Sequence, residues 1–63
     1  MDNPIYEYYF QAILYDHNTK NTRTIENTFF ATCENDLRKR IYERYHCSDI
    51  EELIIFTKEA VIL

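Results

Sequence analysis

From Ile5 to Tyr15 the chain alternates, with Tyr6, Tyr8, Phe10, Ala12 and Leu14 at the even positions and Ile5, Glu7, Tyr9, Gln11, Ile13 and Tyr15 at the odd ones. A period of two with both faces substantially apolar predicts a central strand. The segment Asp16-His17-Asn18-Thr19-Lys20-Asn21 is polar and rich in Asn and Asp, which tolerate the backbone angles of a turn, so it is expected to be a hairpin loop. Arg23 to Ala31 then alternates again, with Ile25, Phe29 and Ala31 on one face and Thr24, Glu26, Thr28 and Phe30 on the other. These are β-favouring residues, and they predict a second strand.

After Thr32 the period changes. Thr32 can cap a helix, Glu34 and Asp36 place acid in its first turn, and Leu37, Ile41 and Tyr45 recur at four-residue spacing, which predicts a helix over Cys33 to His46. Asp49 to Glu52 is expected to be a polar connection. Leu53-Ile54-Ile55-Phe56-Thr57 is short, β-branched and apolar on both faces, and it predicts a third strand, with Ala60 to Leu63 as its possible continuation. The expected fold is α+β: one domain over residues 1–63, with a three-stranded antiparallel sheet, one helix on one face and the order β-β-α-β.

If the third strand lies beside the first, the aromatic first strand is the middle one. One helix covers one face. Parity places Tyr6, Tyr8 and Phe10 under the helix. The other face then shows Ile5, Tyr9, Ile13, Tyr15 and Phe30, with either Ile54 and Phe56 or Leu53 and Ile55. Such a patch is larger than monomers usually leave in water, so a homodimer is expected, meeting through Tyr9, Ile13, Tyr15, Phe30, Ile54 and Phe56.

Composition narrows the class. With 63 residues, 46 % hydrophobic and 16 % aromatic, the chain suits one small core and is too apolar for a disordered tail. It has no apolar run long enough to span a membrane, and Met1-Asp2-Asn3-Pro4 lacks the features of a secretion signal, so a cytoplasmic location is expected. The net charge is −4, and residues 1–36 account for it, with six acids against Lys20 and Arg23. An acidic protein repels phosphate, which disfavours direct nucleic-acid binding and favours a partner that itself binds nucleic acid.

The candidate chemistries are few. Cys33 and Cys47 flank the helix, roughly 20 Å apart by its rise, whereas a disulfide needs Cα atoms within about 7 Å. Those cysteines with His17 and His46 have the count of a zinc site but not its spacing, so no metal or cofactor is expected. The chain has no glycine-rich phosphate loop or nucleophile elbow, and no enzyme is expected. The basic run Arg38-Lys39-Arg40 with Arg44 suits a solvated helix end compensating the dipole. Six tyrosines instead suit a protein interface. Tyr45 continues the core stripe, whereas Tyr42 lies off it and is expected on display.

The segment "YHCSDIEELIIFTKEAVIL", Tyr45 to Leu63, resembles the corresponding end of the small uracil-DNA glycosylase inhibitors of short-tailed Bacillus phages. That family carries Tyr-x-x-Thr-x-x-Glu before an apolar strand, and here the pattern stands as Tyr45-x-x-Ser48-x-x-Glu51. The hairpin from Tyr8 to Phe30 is similar too, including the acid Glu26 in its second strand. The resemblance implies a DNA-mimicking homodimer that blocks the glycosylase's DNA groove and receives a protruding apolar side chain among helix aromatics. Carried over, Tyr45 matches the family's helix tyrosine, Ile41 stands at its phenylalanine and Glu26 matches its strand glutamate; the leading expectation built on this has Glu26, Glu34, Asp36 and Glu43 stand in for phosphates and Ile41, Tyr42 and Tyr45 form the apolar anchor. The chain departs from the family in its longer helix, in Ile41 where the family has phenylalanine, and in a hairpin turn that is less acidic. Two other expectations stay open beside it: a modulator of host RNA polymerase, and a single-strand nucleic-acid binder using the aromatic sheet.

Overall fold

Residues 4–62 are described by the computed structural model, as β1 (Tyr6–Asp16), β2 (Asn21–Ala31), α1 (Glu34–Tyr45) and β3 (Asp49–Ala60). The strands form one antiparallel sheet in the order β2-β1-β3, so the α+β fold with β-β-α-β order is the fold observed. Met1, Asp2, Asn3 and Leu63 lie outside the described residues.

The even residues of β1 make the core. Tyr8, Phe10, Ala12 and Leu14 are at most 1 % exposed, and α1 lays Leu37 and Ile41 over them, with Ala31 and Ile50 at the margins. Each large apolar side chain removed from water in this way contributes about 1.5–3 kcal/mol. Ile41 therefore corrects the expectation that it faces a partner: it is fully buried, because the spacing from Leu37 keeps it on the stripe that meets the sheet.

β3 is longer than the apolar run suggests. It begins at Asp49 and includes the stretch expected to be a connection. Two bulges explain the discrepancy: Tyr9 opposes Thr57 while Phe10 opposes Ile55, and Ile13 opposes Glu52 while Leu14 opposes Ile50. Phe56 and Glu51 are the extra residues, so the helix-side face of the strand carries Ile50, Leu53 and Ile55 at uneven spacing. Between the open alternatives, Ile54 and Phe56 are the pair on the uncovered side.

The helix begins one residue later than its cap suggests. Cys33 holds the extended N-cap position and makes no side-chain bond there. Instead the Asp36 carboxylate reaches back and accepts from the Thr32 amide at 2.9 Å and the Thr32 hydroxyl at 3.2 Å. At the other end His46 adopts the left-handed conformation at φ 52°, and its amide donates to the Tyr42 carbonyl at 2.9 Å. Lys20, closing the hairpin, is also left-handed at φ 58°. A chain without glycine has to place side chains in both strained positions.

Two stability measurements check this account. Ile41→Ala is expected to lower the unfolding free energy by about 2–5 kcal/mol in urea titration, a core cavity rather than a surface effect. His46→Gly is expected to raise it by about 1 kcal/mol by relieving the left-handed position.

Candidate functional site

The helix leaves one face of the sheet uncovered, and pairing register defines what stands on it. β1 contributes Glu7, Tyr9, Gln11, Ile13 and Tyr15; β2 contributes their partners Phe30, Thr28, Glu26, Thr24 and Thr22; β3 contributes Glu59, Thr57, Ile54 and Glu52. Its centre is aromatic. The rings of Tyr9 and Phe56 lie 5.0 Å apart, and Tyr9, Ile54, Phe56, Phe30 and the neighbouring Ile5 are all 38–54 % exposed. The six residues expected to share an apolar interface, Tyr9, Ile13, Tyr15, Phe30, Ile54 and Phe56, therefore do share one face, although Ile13 and Tyr15 are only half-exposed.

The charge on this face has one sign. Glu7, Glu26, Glu52 and Glu59 stand among the apolar groups, and Glu7 lies directly opposite Glu59, a like-charge pair that costs stability. The Tyr9 hydroxyl donates to Glu26 Oε1 at 2.8 Å, which fixes that carboxylate beside the rings. The same bond raises the Tyr9 pKa above its ordinary value.

All the bases stand elsewhere. Lys58 lies over the Tyr6 ring at 4.3 Å on the helix side, Arg23 lies over the Tyr45 ring at 5.5 Å, and Lys20 is in the turn. Arg38, Lys39, Arg40 and Arg44 are on α1. The molecule is thus divided, with an acidic aromatic sheet face and a helix side that carries the cations.

That division separates residues the sequence reading grouped. Glu26 is on the open face, but Glu34 and Asp36 are on the helix and pair with Arg38 at 3.4 Å and Arg40 at 3.2 Å. Glu43 lies between Arg40 and Arg44 along a shallow groove of about 510 Å³ beside β2, whose other wall is Thr28, Phe29 and Phe30. The helix acids are therefore offset by cations of the same helix.

The helix rings are tied into the fold by their hydroxyls, although Tyr42 is exposed as expected. The Tyr42 hydroxyl donates to Asp49 Oδ1 and accepts from the Ile50 amide, both at 3.2 Å, clasping the helix to β3. The Tyr45 hydroxyl accepts from Asn27 at 2.8 Å, its carbonyl accepts from Arg23 at 3.1 Å, and its ring stacks on Phe29. The pattern Tyr45-x-x-Ser48-x-x-Glu51 serves folding here as well: Ser48 Oγ accepts from the His17 amide at 2.9 Å, and Glu51 is a bulge residue.

Glu52 was missed as a site residue because the stretch before Leu53 gave no alternation, and Glu59 because the expected strand ended at Thr57, short of the observed Ala60; Glu7 was visible from parity with Tyr9. A second, more enclosed hollow of about 410 Å³ lies at the hairpin end, between Arg23, Asp16, Tyr45, His46 and Cys47. Burial raises the Cys47 pKa, and both cysteines are free thiols. Among the described residues, no group of three or more His, Cys, Asp or Glu side chains is placed to hold a metal ion, and no helix is long and apolar enough to cross a membrane. Comparison with known protein families, with curated proteins and with solved structures finds no match to this chain.

The Asp36 carboxyl is held below its ordinary pKa, first by the Thr32 amide and then by Arg40 and the Thr32 hydroxyl, against a partial opposing effect of burial. A depressed carboxylate stabilises the fold above its unfolded pKa and loses that contribution as pH falls through the folded value. Wild type is therefore expected to exceed Asp36→Asn in thermal stability at neutral pH, and the gap is expected to close as pH drops below about 4. Thermal melts of both proteins across that range check it.

Proposed function

We propose that this protein is a non-catalytic binding protein whose open sheet face occupies a basic, nucleic-acid-binding surface of another protein and so inhibits it. The observation that carries the reading is that Glu7, Glu26, Glu52 and Glu59 share the sheet face of the Tyr9–Phe56 ring pair, with every base displaced to other surfaces. Carboxylates standing beside exposed rings, one of them held by Tyr9, suit a partner that presents cations and apolar side chains together. Aromatic anchors give affinity, and charge gives orientation and association rate.

Such a groove normally accepts a phosphate backbone. The resemblance of the helix end and last strand to the phage glycosylase inhibitors makes uracil-DNA glycosylase the first enzyme to test, by DNA mimicry in a host cytoplasm. The face used differs from the one the resemblance implies, because Glu34 and Asp36 are offset by arginines and Ile41 is in the core. A second copy seated face to face on the same surface would bring like carboxylates together, so the open face fits a cationic partner better. The same repulsion disfavours single-stranded nucleic acid, although rings of this kind can stack bases.

Uracil excision by a bacterial glycosylase, measured with a molar excess of the protein, is expected to fall, and to recover as ionic strength rises. Tyr9→Ala combined with Phe56→Ala is expected to weaken inhibition at least about thirtyfold, as loss of a hot-spot pair does, whereas Arg38→Ala leaves it unchanged. Undiminished excision rejects the glycosylase as target; a pull-down identifying RNA polymerase would move the proposal to that enzyme.

A further inference from the structure

The apolar part of the open sheet face has a definite width. Tyr9 and Ile13 of β1 and Ile54 and Phe56 of β3 form a band along two neighbouring strands. β2 is polar on this face from Thr22 to Thr28, and Phe30 stands apart at the corner beside Glu7. Paired strands lie about 4.8 Å apart, so a band of two is roughly 10 Å wide. An α-helix with its side chains is about 10–12 Å across. A single extended segment is narrower than the band, and a second sheet would spread over the polar surface of β2.

The band ends in carboxylates. Glu7 and Glu59 lie opposite each other at one end, Glu52 lies opposite Ile13 at the other, and Glu26 flanks the middle. Among the described residues no cation shares the face. The six steps of β1 from Glu7 to Ile13 span about 20 Å, which a helix covers in about 13 residues. The opposite face shows how this sheet is covered when it is covered. There α1 lays Leu37 and Ile41, one turn apart, over Tyr8, Phe10 and Leu14.

We infer that the open face takes up an amphipathic helix of the partner. Its apolar stripe lies on Tyr9, Ile13, Ile54 and Phe56, and its Lys or Arg side chains meet Glu52 at one end and Glu7 and Glu59 at the other. The sheet then has a helix on each face. The Glu7–Glu59 opposition, which costs the free chain stability, is relieved when a cation comes between the two carboxylates. The inference rests on the proposed function, in that the open face meets a cationic partner, and it names the element of that partner that is bound. Basic helices are elements that proteins place in the major groove of DNA, so a helix held on this face is withdrawn from nucleic acid.

A synthetic helix tests it. The probe is a fluorescein-labelled, alanine-rich peptide of about 18 residues, with a leucine stripe at helical spacing in its middle and two lysines near each end. Fluorescence anisotropy with the full chain reads binding, and circular dichroism of the mixture reads helicity. The peptide is expected to bind and to gain helix. Proline at two central alanines keeps the charge and the leucines but breaks the helix, and is expected to weaken binding at least about tenfold. Glutamate in place of the lysines is expected to abolish binding to wild type and to restore it to the chain carrying Glu52→Lys and Glu59→Lys, both exposed positions. Phe56→Ser, also exposed, is expected to weaken the lysine peptide at least about tenfold, with circular dichroism confirming the fold.

Equal binding of the proline peptide would overturn the helix and leave the cationic partner of the proposed function standing. Binding of neither basic peptide at low ionic strength would overturn both together. Unchanged binding to the Phe56→Ser chain would place the contact elsewhere and overturn the inference.

Discussion

The structure depends on a mismatch of coverage: β1 is apolar on both faces, and the described residues supply one helix to cover them. Leu37 and Ile41 close over Tyr8, Phe10, Ala12 and Leu14, and this contact fixes everything else. It selects which parity of β1 is buried, and through cross-strand register it selects which residues of β2 and β3 stand in water. Among the described residues no second element protects the face left over. Tyr9, Ile54 and Phe56 are exposed for that reason.

The bonds around the helix ends serve this contact. Tyr42 ties α1 to the start of β3, Tyr45 ties it to β2 through Asn27 and Arg23, and Asp36 secures the entry through Thr32. Side chains with a polar tip are useful here because each fills apolar space and ends on a specific partner. Their engagement in the fold leaves the surface chemistry to the sheet, where the carboxylates have no cation on the same face to offset them.

Much of this was legible in the sequence. Period two over Ile5 to Tyr15 gave β1 and its buried parity, and the change of period after Thr32 gave the helix within a residue at each end. What could not be seen was β3 before Leu53. The bulge at Glu51 shifts parity there, so Ile50, Leu53 and Ile55 share a face at a spacing that fits neither a helix nor a regular strand, and Glu52 was left off the face it joins. Ile41 was misplaced for another reason. A family motif carries roles with it, whereas here the stripe from Leu37 buries Ile41, and Arg38 and Arg40, each four residues on, offset Glu34 and Asp36.

The central claim is that the open sheet face, and not the helix, is the surface that meets a basic partner. Amide NMR spectra of the labelled protein, recorded while a bacterial uracil-DNA glycosylase is added, test it most directly. The account predicts that signals of Tyr9, Ile13, Ile54 and Phe56 shift or broaden while those of Lys39 and Glu43 on the helix stay in place. Perturbation confined to the helix, with the sheet signals unmoved, would contradict it.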